Sequence, residues 1–92
     1  MSVKVKIPPI LQEITSGKDI VEVNGVSTFT DALQQLESNY PGLKAQLYDK
    51  HGKLSAIYEI YINGASVYPN ELSAILNDGD EIAIGMLYVG GC

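Results

Sequence analysis

The chain has 92 residues, of which 46% are apolar and 18% are charged, and this is ordinary for one globular domain. Six lysines, no arginine and a net charge of -5 argue against a nucleic-acid partner, which would require a basic patch. No apolar run approaches the ~20 residues of a membrane span, no secretory signal is visible at the N-terminus, and a single cysteine excludes an internal disulfide. We therefore expect a cytoplasmic protein with no nucleic-acid and no membrane partner.

The first third of the chain predicts two strands. Residues 3–7, VKVKI, alternate strictly between apolar and charged side chains, as a strand with one buried face does. Pro8-Pro9 ends this strand, because proline cannot donate to a sheet ladder. The following residues, LQEITSGKD, predict a loop with Gly17 as its turn residue. It leads to a second short strand at Ile20 to Val23, which the turn-forming pair Asn24-Gly25 closes.

The clearest helix signal lies directly after this second strand. Thr28 is the predicted N-cap, and Asp31 lies in the first turn, where a negative charge is favourable. Pro41-Gly42 ends the helix. Apolar side chains recur between these limits at i, i+3, i+4, i+7 and i+11, which forms one stripe of a 3.6-residue period: Phe29, Ala32, Leu33, Leu36 and Tyr40.

The second half of the chain predicts three more strands with small helical inserts. A short helix at Leu43 to Leu47 and a polar turn precede the strand-like run AIYEIYI. Asn63-Gly64 turns the chain into a brief strand at Ala65 to Val67. One helical turn in ELSAIL and the turn NDGD then lead to the last strand, EIAIGM at residues 81–86. This order predicts an α+β fold with a four- or five-stranded sheet that one main helix covers on one face.

Several motifs in this order resemble the MoaD/ThiS sulfur carriers. They are the start VKVKIP, YPGL after the main helix, IYING in the central strand, NDGDEIAI before the last strand, and a diglycine near the C-terminus. The resemblance is closer to the MoaD branch. It implies a ubiquitin-like β-grasp fold with a mixed sheet, in one domain over residues 1–92 with a flexible tail at 87–92. Three features depart from the family pattern. Glu59 stands where family members often have Asn, GMLYVGG replaces the usual PAVAGG, and Cys92 follows the diglycine.

The resemblance also implies a chemistry for the diglycine. In such carriers, an ATP-dependent adenylating enzyme of the MoeB/ThiF type activates the terminal glycine carboxylate, and sulfur then replaces the adenylate to give a thiocarboxylate. Gly91 would carry the sulfur, and Gly90 would let it reach through a narrow channel, because glycine lacks a Cβ. A downstream enzyme accepts the sulfur. The chain itself would be a co-substrate and no enzyme, with ATP and zinc bound by its partners only.

Cys92 ties up the Gly91 carboxyl in a peptide bond, and three interpretations stay open. The resemblance implies that a JAMM-type zinc metalloprotease removes Cys92. A second interpretation uses the thiol itself, as a persulfide or through an acyl shift, although no cation lies near it in the sequence to favour a thiolate. In the third, Cys92 is an idle or artefactual end residue.

The last strand leads into the tail through the apolar run Met86, Leu87 and Tyr88. Exposed apolar residues beside a free tail would need a partner to cover them, so this run is a predicted docking patch. The alternative is that Met86 and Leu87 simply finish the core.

Other polar residues have less specific patterns. His51 lies in a predicted turn and is expected to be solvated, and one His with one Cys cannot build a zinc site. Asp78 and Asp80 lack the spacing of a calcium loop and are expected to shape their turn.

Two other functions share the predicted fold or the diglycine. A plant-type ferredoxin would need four cysteines and is excluded. A ubiquitin-like modifier or interaction module has the same sequence features as a sulfur carrier and stays open. Within the carriers, this chain could be the small subunit of molybdopterin synthase. The residue beyond the diglycine favours instead a processed carrier for cofactor, amino-acid or secondary-metabolite biosynthesis.

Overall fold

The computed structural model describes residues 2–55, 57–68 and 70–86 of the chain. These residues form five strands and two α-helices: β1 (Ser2–Lys6), β2 (Ile20–Asn24), α1 (Phe29–Asn39), α2 (Leu43–Leu47), β3 (Tyr58–Ile62), β4 (Ala65–Ser66) and β5 (Glu81–Met86). Two short 3-10 helices, Pro9–Leu11 and Glu71–Ser73, lie in the connections. The predicted order of strands and main helix is confirmed.

The strands form one mixed sheet in the order β2-β1-β5-β3-β4. β1 is antiparallel to β2, and β3 is antiparallel to both β4 and β5. β1 and β5 are parallel neighbours, with Val5 opposite Ile82. β5 is therefore the central strand, with a hydrogen-bonded neighbour on each side.

The core lies between one face of this sheet and α1. Strand alternation places buried side chains of β1, β2, β3 and β5 on this face. From α1, the predicted stripe is buried from Phe29 to Leu36, while Tyr40 is half-buried at the C-cap. A five-stranded mixed sheet under one main helix is the ubiquitin-like β-grasp fold that the sequence predicts.

The N-terminus of α1 has the expected Thr28 cap, and Asp31 adds a reciprocal hydrogen bond that was not predicted. The Thr28 hydroxyl accepts a hydrogen bond from the Asp31 N–H at 3.2 Å, and the Asp31 carboxylate accepts one from the Thr28 N–H at 3.2 Å. This reciprocal capping box pairs N–H groups that the first helical turn leaves without partners. Within the described ranges, neither helix has the length and apolar character needed to cross a membrane.

Some boundaries differ from the prediction. β1 ends at Lys6 instead of Ile7; the Ile7 N–H still donates to Asp19 at 2.7 Å, but the prolines after it cannot continue the ladder. β4 ends at Ser66 instead of Val67. The predicted helical turn in ELSAIL is a 3-10 helix that stops at Ser73, because the backbone from Ala74 is extended and accepts from the Phe29 N–H at 3.0 Å.

The connection between β1 and β2 was expected to be a simple loop, but it contributes to the core. It begins with the 3-10 helix Pro9–Leu11, which buries Leu11. Thr15 is fully buried, and its hydroxyl donates to the Lys18 carbonyl at 2.8 Å. Gly17 has φ +82°, so it is a turn residue as predicted.

A polar network anchors the start of β5. Asn63 and Gly64 both have positive φ, as the predicted tight turn requires. The Asn63 side chain donates to Asp80 at 2.9 Å and accepts from the Glu81 N–H at 3.0 Å. Asp80 also accepts from the Asn77 N–H at 2.8 Å. The β3–β4 turn and the turn before β5 are thus held together.

α1 also covers part of the outer edge of β2. The Gln35 side-chain amide donates to the Asn24 carbonyl at 2.6 Å and accepts from the Asn24 N–H at 2.8 Å. These are the two hydrogen bonds that a neighbouring strand would make to the same residue. The amide therefore closes the edge at this point.

Candidate functional site

The side of the sheet opposite α1 is covered by no other element in the described residues, and we call it the outer face. It is formed by alternate residues of the three central strands: Lys4 and Lys6 from β1, Glu81, Ala83 and Gly85 from β5, and Glu59 and Tyr61 from β3. The side chains of β5 become smaller toward its C-terminal end. The outer face of β5 therefore forms a shallow groove between the lysines of β1 and the polar side chains of β3.

Three side chains on β3 and β4 form a carboxylate–hydroxyl cluster. The Tyr61 hydroxyl donates to Glu59 Oε2 at 2.8 Å, and the Ser66 hydroxyl donates to Glu59 Oε1 at 3.1 Å. The hydrogen bond to this carboxylate, with smaller contributions from desolvation and the negative charge, raises the pKa of Tyr61 above its ordinary value. The phenol therefore stays protonated as a donor, and both oxygens of Glu59 are held in place.

This cluster lies beside the C-terminal end of β5. Glu59 is directly opposite Gly85 in the ladder, and Tyr61 Cε2 lies 3.5 Å from the point where a Cβ of Gly85 would be. Among the described residues, the one ion pair joins Lys6 and Glu81 at 3.9 Å. In that part of the chain, the Glu59 carboxylate therefore has two hydroxyl donors but no cation.

Exposed isoleucines flank the same end of the sheet. β5 ends at Met86, opposite Tyr58 of β3. Ile57 precedes Tyr58 and is 44% exposed, and Ile10, in the 3-10 helix after the parallel strand β1, is 58% exposed. We call Ile10 and Ile57 the end isoleucines. Removing large apolar side chains in this position from water would stabilise a complex with a partner that covers them.

The predicted docking run is described only at its first residue. Met86 is half-buried and packs against the core, on the same face as Ile82 and Ile84. This packing agrees with the alternative interpretation, in which Met86 finishes the core. A docking role for Met86 stays a prediction. Leu87, Tyr88, Gly90, Gly91 and Cys92 lie outside the described residues.

His51 and Asp80 have the structural roles that the sequence predicts, whereas the side chain of Asp78 bonds the start of β1 instead of its own turn. His51 is exposed in a turn, and its N–H donates to Asp49 at 2.8 Å. Asp78 accepts from the Ser2 N–H at 2.7 Å, and Asp80 accepts from Asn77 within its own turn. In residues 2–55, 57–68 and 70–86, no group of three or more His, Cys, Asp or Glu side chains is arranged to hold a metal ion.

A family comparison extends over nearly the whole chain, since the model of the ThiS family matches residues 5–91. This chain belongs to the ThiS family. ThiS-family proteins are small ubiquitin-like carriers or modifiers rather than enzymes. The resemblance seen in the sequence is therefore confirmed at the level of family and fold.

Solved structures with the same fold include ubiquitin-like sulfur carriers. The match from the crystal structure of the Amycolatopsis orientalis BexX/CysO complex is 34% identical, has a TM-score of 0.84, and covers 97% of this chain and 99% of that one. CysO of Mycobacterium tuberculosis, described as an antigen, is 32% identical with a TM-score of 0.85 and coverage of 94% and 99%. SAMP1 of Haloferax volcanii is 27% identical with a TM-score of 0.80 and coverage of 99% and 100%. No curated protein sequence gives a significant match.

Sequence reasoning missed two features of this ThiS-family chain. Glu59 was noticed as a departure from the family pattern, but its contacts were not. The alternation in YEIYI places Glu59 and Tyr61 on one face, whereas the contact with Ser66 requires the β3–β4 register. Ile57 was detectable as an apolar residue out of phase with the buried Tyr58 and Ile60.

Proposed function

We propose that this chain carries sulfur as a thiocarboxylate on Gly91 and delivers it to a biosynthetic enzyme. The observation that supports this best is the extent of the ThiS-family match, which runs to residue 91 and so includes both glycines. The sulfur serves the synthesis of a cofactor, an amino acid or a secondary metabolite.

The chemistry takes place in the partner enzymes. In a ThiF-type adenylating enzyme, the Gly91 carboxylate attacks the α-phosphorus of ATP and releases pyrophosphate. The terminal sulfur of a protein persulfide then displaces AMP from the acyl adenylate and forms an acyl disulfide. A second thiol of the partner cleaves its S–S bond, which releases the Gly91 thiocarboxylate and leaves a disulfide on the partner. The chain supplies a carboxyl group on a tether that contains no side chain at Gly90 and Gly91.

The length of this tether restricts where the partner docks. Gly91 is the fifth residue after Met86, and an extended chain of five residues spans at most roughly 18 Å. The active site of the partner must therefore come within this distance of the end of β5. A surface that approaches so closely will meet the end isoleucines and the adjoining outer face.

Two further observations support a carrier that docks on other proteins. The Amycolatopsis orientalis structure is a complex of CysO with BexX. The net charge of -5 favours encounter with a basic protein surface.

The Gly91 carboxyl becomes available when the Gly91–Cys92 bond is hydrolysed. We assign this step to a JAMM-type metalloprotease, whose zinc activates the attacking water. Cys92 is then released as free cysteine, and the thiocarboxylate forms on the new terminus.

Intact-mass analysis of the chain from its native organism tests the proposal. We expect loss of one cysteine residue and a fraction with sulfur in place of one oxygen. Because oxidation of Met1 or Met86 adds nearly the same mass, the sample is also treated with iodoacetamide. After loss of Cys92, the chain has no thiol, so only a thiocarboxylate takes up the alkyl group.

Two variants separate the steps. A chain that ends at Gly91 should be charged with sulfur without the protease, whereas Gly91→Ala in that shortened chain should fold normally and stay uncharged. Circular dichroism checks the fold of both. Normal charging of Gly91→Ala would refute the role of Gly91, and charging of full-length chain with Cys92 retained would refute the processing step.

The match to SAMP1 favours a second candidate function. SAMP1 is named a small archaeal modifier protein and is 31% identical to this chain in its Methanosarcina acetivorans form. A modifier would join its Gly91 carboxyl to a lysine of another protein. Peptide mapping of the same cells distinguishes the two, because chymotrypsin, which cleaves after Tyr88, would leave a Val-Gly-Gly remnant on lysines to which a modifier is joined.

A further inference from the structure

The side chain of Glu59 is unusual among the carboxylates of the outer face because its orientation is fixed. Its two oxygens accept hydrogen bonds from Tyr61 and Ser66 at 2.8 and 3.1 Å. Each carboxylate oxygen can accept a further hydrogen bond, so the group retains acceptor capacity toward a partner. The sheet therefore holds the Glu59 carboxylate in a defined place and direction.

The position of Glu59 makes contact with a docked enzyme difficult to avoid. It faces Gly85, the residue before Met86, and neither Gly85 nor Ala83 has a side chain large enough to keep a partner surface away. An enzyme that draws the Gly91 carboxyl into its active site must approach this end of β5. It will thus remove water from the Glu59 carboxylate.

Burial of an unpaired carboxylate is costly, and this chain does not offset the cost. A desolvated carboxylate requires a cation or several hydrogen-bond donors. Glu81 on the same face already has Lys6 at 3.9 Å, but among the described residues no lysine lies within 4.0 Å of Glu59. The missing cation must come from the partner.

We propose that Glu59 is a specificity-determining residue that forms an ion pair with an arginine or lysine of the adenylating enzyme, an inference that rests on the proposed function. Tyr61 and Ser66 are positioning residues that orient the carboxylate toward that cation. Adenylating enzymes without a basic side chain in the facing position discriminate against this chain, because docking leaves Glu59 buried and unpaired.

The test uses the chain ending at Gly91 and the ThiF-type enzyme of the same organism, with release of pyrophosphate as the readout. Glu59→Gln retains the acceptor oxygen for Tyr61 but removes the charge. We expect its KM to rise roughly tenfold or more, with kcat within twofold of wild type, because the lost contact is made on docking and not at the reacting carboxyl. The KM of wild type should increase more steeply with salt than that of Glu59→Gln.

Glu71→Gln is the matched control, since it removes the same charge from the 3-10 helix Glu71–Ser73, away from the outer face. It reports the effect of net charge alone and should change KM less than twofold. Tyr61→Phe, which frees one oxygen of Glu59 but keeps its charge, should give an intermediate KM.

The outcomes separate the inference from the proposed function. Equal KM values for Glu59→Gln and Glu71→Gln, with normal charging of wild type, would refute the role of Glu59 and leave the carrier function intact. Absence of pyrophosphate release with wild type would refute both. A fall in kcat without a change in KM would show that Glu59 acts in the chemical step and would also refute the docking role.

Discussion

Asn63 shows how much a single residue can determine at the sheet end opposite Met86. Its φ is +52°, in the left-handed region that costs most residues free energy. Asparagine tolerates this conformation, and its side chain bonds both Asp80 and the N–H of Glu81. One residue thus forms the turn after β3 and fixes the start of β5.

Substitutions at Asn63 should separate its two contributions. Asn63→Gly keeps the backbone conformation and loses the side-chain hydrogen bonds, so it should reduce the free energy of unfolding by about 1 kcal/mol. Asn63→Ala also strains the backbone and should reduce it by about 2 kcal/mol. Urea unfolding followed by circular dichroism measures both. Equal losses of unfolding free energy in Asn63→Gly and Asn63→Ala would show that the positive φ at residue 63 does not affect stability.

At this scale, the sequence predicted conformations better than contacts. Asn63-Gly64, Gly17 and the cap residue Thr28 were recognised because their local chemistry determines their backbone angles. The partners of Glu59 were not, because Ser66 reaches it across a strand pair. The glycines that bear the proposed chemistry could be named from sequence alone, since they act through having no side chain.

At the scale of secondary-structure elements, Gln35 of α1 forms hydrogen bonds to the backbone at the outer edge of β2. Ladder alternation means that if Asn24 faces outward, the backbone groups of Ile20 and Glu22 do so too. Gln35 closes only the position of Asn24. The edge of β2 is thus partly covered, which limits pairing with another chain.

Gln35→Ala should therefore weaken the fold and open the edge. We expect a loss of about 1 kcal/mol in the free energy of unfolding, from two lost hydrogen bonds, and more self-association at high concentration in analytical ultracentrifugation. Gln34→Ala is the control, because Gln34 is exposed on the same helix and alanine favours helix slightly. The idea fails if the two variants are equally stable.

Element order and type followed from periodicity, and the errors occurred where tertiary contacts decide. The connection after β1 became partly helical because Pro9 presets the backbone for a first turn. This connection packs against the core through Leu11, and no local sequence pattern had indicated that Leu11 is buried. The 3-10 helix in ELSAIL ends at Ser73 because the next carbonyl, that of Ala74, accepts a hydrogen bond from the Phe29 N–H at the start of α1.

Across the whole molecule, three carboxylates make stability depend on acid pH. Backbone N–H donors lower the pKa of Glu37 (from Gly42 and Lys44) and of Asp49 (from Lys53 and His51). The Asn77 N–H and the Asn63 side chain lower the pKa of Asp80. Because each group is ionised more readily in the folded chain, its contribution is present above the ordinary carboxyl pKa and is lost as pH falls through the folded value.

The urea midpoint should thus be nearly constant from pH 7 to about pH 5 and should decrease below the ordinary carboxyl values of about 4. Glu37→Gln should have a lower midpoint at pH 7 and a smaller decrease toward pH 3. High salt should preserve most of the wild-type decrease, since hydrogen bonds are the largest cause and salt screens mainly charge pairs. An unchanged midpoint down to pH 3 would contradict the assignment.

The central place of β5 determines how the sheet would resist a pull on the residues that follow it, such as the proposed docking to an enzyme would exert. Any tension on the residues after Met86 passes into a strand with β1 on one side and β3 on the other. The load acts along the strands, so the flanking hydrogen bonds resist it together as shear instead of opening one after another. A tail that followed an edge strand would peel that strand away, whereas a partner that pulled on the proposed tail of this chain would leave the sheet folded.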